Sequence, residues 1–92
     1  PFVRITAEQW RRMLAVHLDG TFFCTQAAVG DMLAVGWGRI VNTSSVAGLN
    51  GGGAALAHYA AAKGGILGLT KALAQEFGPF GVTVNAVAPG LI

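Results

Sequence analysis

A tyrosine and a lysine stand four residues apart in the segment Tyr59-Ala-Ala-Ala-Lys63. On a helix, side chains at positions i and i+4 share one face, so the Lys63 ammonium is expected near the Tyr59 hydroxyl. A phenol, with an ordinary pKa of about 10, is a weak acid–base group at neutral pH, and a fixed cation beside it favours the phenolate. Tyr59 could then give a proton to a carbonyl oxygen or take one from an alcohol. The spacing alone also fits an ordinary pair on a helix surface.

Two adjacent serines, Ser44 and Ser45, lie at the end of the β-branched segment Arg39–Ser44, which predicts a strand. Functional loops of a parallel sheet follow the carboxyl ends of its strands. A hydroxyl there could hydrogen-bond a substrate carbonyl and hold it towards Tyr59. The alternative is a turn in which the hydroxyls bond their own backbone. We assign the chemical role to Ser45 and the turn to Ser44.

The first helix is predicted to begin at Thr6, because Thr6 and Gln9 form the T-x-x-Q pattern of a capping box. Large apolar residues then recur at helical spacing, and the pattern continues through Gly20 to about Val35. Gly36 and Gly38 are the predicted stop signals.

A second helix is predicted from about Ala57 to Phe77, with Gly78 and Pro79 as its stop. The glycine-rich segment Gly48–Gly53 before it predicts a loop. Val82–Val87 predicts another strand, which Pro89–Gly90 interrupts. The order helix, strand, helix, strand indicates βαβ units and a parallel sheet of the α/β class.

The composition predicts that the 92 residues belong to a larger α/β domain. Charged residues make up 11% of the chain, against roughly 25% in typical soluble domains. Hydrophobic residues reach 53%, and a small domain needs more polar surface than this chain provides. Because two strands do not complete a parallel sheet, we expect further elements before Pro1 and after Ile92.

Several classes of protein are disfavoured. No apolar run approaches the roughly 18 residues that span a bilayer, and Pro1–Arg12 lacks the apolar core of a signal peptide. The net charge of +2 is small and scattered, which argues against nucleic-acid binding. Cys24 stands alone, which favours a buried spectator thiol and a reducing cytoplasm. His17 and His58 are far apart, so no metal site is expected.

Three segments together resemble the short-chain dehydrogenase/reductase family: Gly38–Gly48, Tyr59-x-x-x-Lys63 and Val84–Gly90. The resemblance covers nearly the whole chain, with the motifs in the family's order, and it implies a doubly wound Rossmann-type sheet. It implies that Ser45 positions a substrate carbonyl, that Tyr59 is the general acid/base, and that Lys63 lowers the tyrosine pKa and bonds the nicotinamide ribose.

The same resemblance implies NAD or NADP as the cofactor. Pro89, Gly90 and Ile92 match the segment that borders the nicotinamide, with the Ile92 backbone at the carboxamide. Asn42 and Asn85 match strand positions that we interpret as structural.

The chain also departs from the family's pattern. His17, in His17-Leu-Asp-Gly20, stands where the family carries a catalytic Asn that holds a relay water behind the lysine. A neutral imidazole can both donate and accept, so His17 is either a relay residue or a packed helix residue. Ser45 and Tyr59 are fourteen residues apart, slightly more than is usual, and Gly51–Gly53 can absorb the difference.

The family's glycine-rich dinucleotide loop and the residue that selects NAD or NADP are missing from residues 1–92, as is the C-terminal substrate segment. We therefore expect residues 1–92 to be a partial domain that is inactive by itself.

The resemblance implies a parent enzyme that interconverts a ketone and a secondary alcohol, with a 3-oxoacyl-thioester reductase as the narrower expectation. The alternatives are a small-alcohol, polyol or steroid dehydrogenase, or a non-catalytic structural or regulatory family member. Gly64, Gly65 and Gly68 each cost a helix about 1 kcal/mol relative to Ala, which predicts close packing there. This close packing would come either from association into a homodimer or homotetramer through the two long helices, or from the protein's own sheet.

Overall fold

The computed structural model describes residues 2–45 and 57–89, so the predicted loop Gly48–Gly53 lies outside the described residues. Two short 3₁₀ turns, Phe2–Arg4 and Gly78–Phe80, accompany the main elements. In chain order the main elements are α1 (Ala7–Leu14), a π-helical segment (Ala15–Asp19), α2 (Gly20–Val35), β1 (Gly38–Thr43), α3 (Ala57–Phe77) and β2 (Val82–Val87).

The first helix begins as predicted. The Thr6 hydroxyl accepts a 3.0 Å hydrogen bond from the Gln9 amide, and the Gln9 side chain accepts one of 3.0 Å from the Thr6 amide. These two bonds satisfy backbone donors that the first helical turn leaves unpaired.

The continuous α-helix expected from Thr6 to Val35 is interrupted, because Ala15–Asp19 is a π-helical turn. Within it the Gly20 amide bonds the Ala15 carbonyl. The Thr21 hydroxyl donates a 2.8 Å hydrogen bond to the His17 carbonyl, as helical threonines commonly do. Single π turns inside α-helices are frequent at functional sites, and this one contains His17.

Of the two predicted stop signals, Gly36 is confirmed and Gly38 is wrong. Gly36 ends α2 with a left-handed φ of 72°, which glycine adopts without steric cost. Gly38 is instead the buried first residue of β1, where its amide donates to the Gly81 carbonyl at 3.2 Å. A Cβ at Gly38 would lie 2.6 Å from the Met32 sulfur, so the start of the strand is closely packed against α2. Sequence spacing could not reveal that contact.

The two strands form a parallel pair. Their register runs from Gly38 opposite Val82 to Thr43 opposite Val87, so β1 begins and ends one residue earlier than predicted. The bounds of α3 and β2 match the prediction. Because α3 connects the two parallel strands, β1, α3 and β2 make one βαβ unit, and the predicted α/β class is confirmed.

The core of the described chain lies between α3 and the sheet. Its buried apolar residues are Ala62, Ile66, Val82 and Val84. Within the described residues, β1 is paired on one edge alone, and Val41 is 64% exposed.

The prediction of a buried Cys24 is wrong, because Cys24 is exposed on the side of α2 that lines a cleft with β1.

α1, the π-helical segment and α2 follow one another without a break and are together called the first helix. This first helix packs against α3 at Gly65. A Cβ on Gly65 would lie 2.9 Å from a methyl group of Leu18, which follows His17 in the π-helical turn. The close packing expected around the helix glycines is found at Gly65, where its partner is the first helix of the same chain. The expectation is wrong at Gly68, where a Cβ would meet no described atom within 4 Å. This approach brings His17 beside the N-terminal half of α3.

Among the described residues, no helix combines the length and apolarity that crossing a bilayer requires.

Gly81, at the entrance to β2, generates a stability prediction. Its φ is 86°, and a Cβ there would overlap the Gly36 carbonyl group. Gly81→Ala should lower the free energy of unfolding by at least about 2 kcal/mol, through left-handed backbone strain and the displaced turn. Urea unfolding of the complete protein measures this loss.

Gly78→Ala is the matched control in the same turn, because a Cβ at Gly78 would meet no described atom within 4 Å. Equal stabilities of the two variants would contradict the role given to Gly81.

Candidate active site

Tyr59 and Lys63 lie together near the start of α3. The Lys63 ammonium nitrogen is 5.8 Å from the centre of the Tyr59 ring. Lys63 is 9% exposed and Tyr59 is half-buried, so the two residues do not form a surface pair. An ammonium is rarely buried unless nearby groups compensate its charge.

The end of β1 contacts Lys63 at both ends of the residue. The Lys63 ammonium donates to the Thr43 carbonyl at 3.4 Å. The Ser44 hydroxyl donates to the Lys63 backbone carbonyl at 2.7 Å. Both contacts come from consecutive residues of the strand end, so the position of Lys63 depends directly on where β1 ends.

His17 lies against Tyr59. The two rings meet edge to face, with centroids 5.8 Å apart and planes at 86°. Burial, followed by the positive charge of Lys63, lowers the pKa of His17 below its usual value of 6.5. The imidazole is therefore neutral at pH 7, with one nitrogen able to donate and the other able to accept.

An open cleft of about 500 Å³ lies between the first helix and β1. Its polar lining includes His17, Thr21, Asn42, Thr43 and Lys63. The imidazole and the ammonium thus face one space large enough for water or part of a ligand.

Within residues 2–45 and 57–89, no group of three or more His, Cys, Asp or Glu side chains could hold a metal ion.

Ser45 and Pro89 occupy matching places at one edge of the sheet. Thr43 and Val87 are register partners, and Ser45 and Pro89 each lie two residues further along. Ser45 is half-buried and Pro89 is exposed. The carboxyl ends of parallel strands are where open α/β sheets bind ligands. Gly90 and Ile92, which were predicted to border the cofactor, lie outside the described residues.

The interpretation of Ser44 as a turn residue bonding its own backbone is wrong. Ser44 is 3% exposed, and its hydroxyl crosses from the strand to the Lys63 carbonyl on α3. Asn42, two residues earlier, donates at 3.0 Å to the Thr70 hydroxyl on the same helix, which agrees with its predicted structural role. The alternation of Asn42 and Ser44 places both on one face of the strand, and that signal could have indicated the contacts with α3.

Known proteins resemble the chain in sequence and in fold. The family model described as short chain dehydrogenase matches residues 1–92. The 3-oxoacyl-(acyl-carrier-protein) reductase of Aquifex aeolicus is 46% identical over 91 residues, which cover 99% of this chain and 36% of the relative. The chain therefore spans about a third of the length of this curated relative.

Solved structures show the same fold. NAD+-bound xylitol dehydrogenase superposes with a TM-score of 0.93 at 34% identity, over 98% of this chain and 34% of that one. A Beutenbergia cavernae protein, solved with NADP at low occupancy as a proposed NAD(P)-dependent gluconate 5-dehydrogenase, gives a TM-score of 0.94 at 42% identity. That match covers 98% of this chain and 36% of the other. With its full length matched and its fold shared, the chain belongs to the short-chain dehydrogenase/reductase family and forms part of a doubly wound Rossmann-type sheet.

Proposed function

We propose that the complete protein is an NAD(P)-dependent oxidoreductase that interconverts a ketone and a secondary alcohol. The observation that carries the proposal is the largely buried Lys63 residue, whose ammonium lies beside Tyr59 at the carboxyl end of β1. A buried cation next to a phenol has a clear chemical use, because it stabilises the phenolate formed when Tyr59 gives up its proton. Residues 1–92 are then the central part of a larger domain and are inactive alone.

The residues present fit a nicotinamide cofactor. An ammonium has three donors, and within the described part of the chain the Thr43 carbonyl accepts one of them. The others are suited to ribose hydroxyls, with Tyr59 beside them and Pro89 at the adjacent strand end. The cofactor, NAD or NADP, would supply or accept the hydride at the carbonyl carbon.

The proton chemistry is assigned to the chain's own side chains. Ser45 donates a hydrogen bond to the substrate oxygen and holds it towards Tyr59. Tyr59 gives its proton to that oxygen during reduction and takes it back during alcohol oxidation. Lys63 stabilises the negative charge on the phenolate through its fixed position.

We propose a relay role for His17. Its imidazole lines the same cleft as Lys63 and contacts the Tyr59 ring, and its neutral form can accept a hydrogen bond at one nitrogen and donate at the other. A water in the cleft, bonded to His17 and Lys63, would take a proton from solvent as it passes one towards the phenolate during ketone reduction, and the transfer would run in reverse during alcohol oxidation. The competing role is packing alone, in which His17 only supports the Tyr59 ring.

A 3-oxoacyl thioester is the substrate class we propose first, because the Aquifex aeolicus relative is a reductase of such a substrate. A polyol is the competing class, since xylitol dehydrogenase shares the fold. Both classes present a secondary alcohol or its ketone to Tyr59 and Lys63.

We also propose that the complete protein is a cytoplasmic homodimer or homotetramer that associates through its two long helices. Trp10, Phe22 and Phe23 are 39%, 45% and 61% exposed on the first helix, so either a second copy or the remainder of the same domain covers them. Such aromatic surface is characteristic of protein interfaces.

Tyr59→Phe is the first test of the proposed function. NAD(P)H oxidation by the complete protein with an acetoacetyl thioester should fall by about 10²–10⁴-fold, because the variant lacks the transferable proton. Activity on ketones or polyols, but not on the thioester, would keep the mechanism and change the substrate class. Unchanged turnover in Tyr59→Phe would refute the mechanism, and no turnover by the wild-type protein on any of these substrates would refute the proposed activity.

Lys63 and Lys71 provide a matched pair of lysines on one helix. Lys63 is buried beside Tyr59, whereas Lys71 is exposed. Lys63→Met should lower kcat by about 10²-fold or more through loss of the charge at the phenolate. Lys71→Met should leave kcat near the wild-type value. Similar steady-state kinetics for both variants would remove Lys63 from the mechanism.

The lowered pKa of His17 generates a pH prediction. Because the folded state binds this proton less readily than the unfolded state, stability should fall as the pH drops below 6.5 towards the lowered pKa. His17→Asn lacks this titration, so its melting temperature should depend less on pH in that window. Thermal unfolding of both proteins between about pH 5 and 7.5 measures the difference, and parallel curves would contradict the assignment.

A further inference from the structure

Ser44 is a buried polar residue that adjoins two residues with proposed roles in the reaction, Ser45 and Lys63. It precedes Ser45 in the chain, and its hydroxyl bonds the backbone of Lys63 at 2.7 Å. Its amide donates a 2.7 Å hydrogen bond to the Val87 carbonyl at the end of β2. One residue therefore joins β1, β2 and α3 at the point where the candidate active site lies.

Two buried hydrogen bonds connect the β1 strand and its end with α3. One lies at the candidate site and the other lies away from it, so comparing them distinguishes a specific role of Ser44 from general packing of the strand on the helix. Asn42 bonds Thr70, and Ser44 bonds Lys63, so the strand and the helix run in opposite directions. All four residues are at most 9% exposed. The Asn42–Thr70 bond lies seven residues further along α3 from Lys63. The Ser44–Lys63 bond holds the part of the helix that carries Lys63 and Tyr59.

The side chain of Lys63 is held by the same strand end as its backbone. Thr43 accepts from the ammonium, and Ser44 donates to the carbonyl of the same lysine. Movement of α3 relative to this strand end would lengthen both contacts together. The distance between the ammonium and the Tyr59 ring therefore depends on how firmly this turn of α3 is fixed to β1.

We propose that Ser44 is a positioning residue for the proposed reaction: its hydroxyl fixes the turn of α3 that carries Tyr59 and Lys63 against the strand end that carries Ser45. Ser44 does not contact the substrate in this role, and it acts through Lys63. The inference rests on the proposed function, since the three residues that it aligns are the proposed catalytic groups.

The test compares Ser44→Ala with Thr70→Val in the complete protein. Each variant removes one hydroxyl from a buried bond between β1 and α3. Ser44→Ala should lower kcat about tenfold, since small displacements of catalytic groups are costly, with KM and cofactor binding changed much less. Thr70→Val should lower the melting temperature and keep kcat near the wild-type value. Ser44→Cys, which retains the side-chain size and a weak donor, should fall between wild type and Ser44→Ala.

Two kinetic outcomes would overturn the proposal. One is an unchanged kcat in Ser44→Ala. The other is an equal fall of kcat in Thr70→Val, which would show that any loosening of the strand–helix contact has the same effect. Inactive wild-type protein would instead be a failure of the proposed function.

A second readout needs no turnover. With [13Cζ]-tyrosine in the complete protein, the Tyr59 resonance is identified by its loss in Tyr59→Phe. At fixed pH this resonance reports the position of the Lys63 charge. It should move in Ser44→Ala and stay in place in Thr70→Val. A resonance that stays in place in Ser44→Ala would refute the positioning role even if the protein had no measurable activity.

Discussion

The charge of Lys63, on a residue that is only 9% exposed, is the feature on which the other parts of the site depend. Removing a charge from water is costly unless other groups compensate it. Here the compensation comes from the Thr43 carbonyl and from the face of the Tyr59 ring. Both must be held in place, because a flexible carbonyl or ring would leave the charge unsatisfied part of the time. The end of β1 and the first turns of α3 therefore have to be fixed relative to each other.

The first helix packs closely against the same part of α3. Gly65 lets that helix approach α3 closely at Leu18, and the π-helical turn at Ala15–Asp19 widens the helix at the same level. The result is that His17 contacts the Tyr59 ring. A regular α-helix would have better hydrogen-bond geometry through this region, so the π turn has a local cost. The Thr21 hydroxyl donates a hydrogen bond to the His17 carbonyl within the same region.

The features that could be predicted from the sequence are the ones determined by neighbouring residues. The capping box at Thr6, the left-handed stop at Gly36 and the bounds of α3 all follow from local rules. The meeting of Tyr59 and Lys63 follows from helical spacing alone. The π turn, the strand start at Gly38 and the hydroxyl contact of Ser44 depend instead on residues far away in the chain. The exposure of Cys24 is of the same kind, since it depends on what covers the free edge of β1.

The proposed proton chemistry and the selectivity for substrate belong to different parts of the protein. Ser45, Tyr59, Lys63 and His17 are carried by one βαβ unit and the helix before it, so the proposed proton chemistry is specified within this segment. The dinucleotide loop and the substrate segment that the family carries are not found among residues 1–92. In the proposed roles these residues would handle the proton and hold the nicotinamide ribose, and neither task differs between an acyl-thioester reductase and a polyol dehydrogenase. The likeness of the chain in sequence to a 3-oxoacyl reductase and in fold to xylitol dehydrogenase is in line with this proposal. Selectivity for the substrate would then arise from the chain that covers the cleft, while the geometry around Lys63 stays the same.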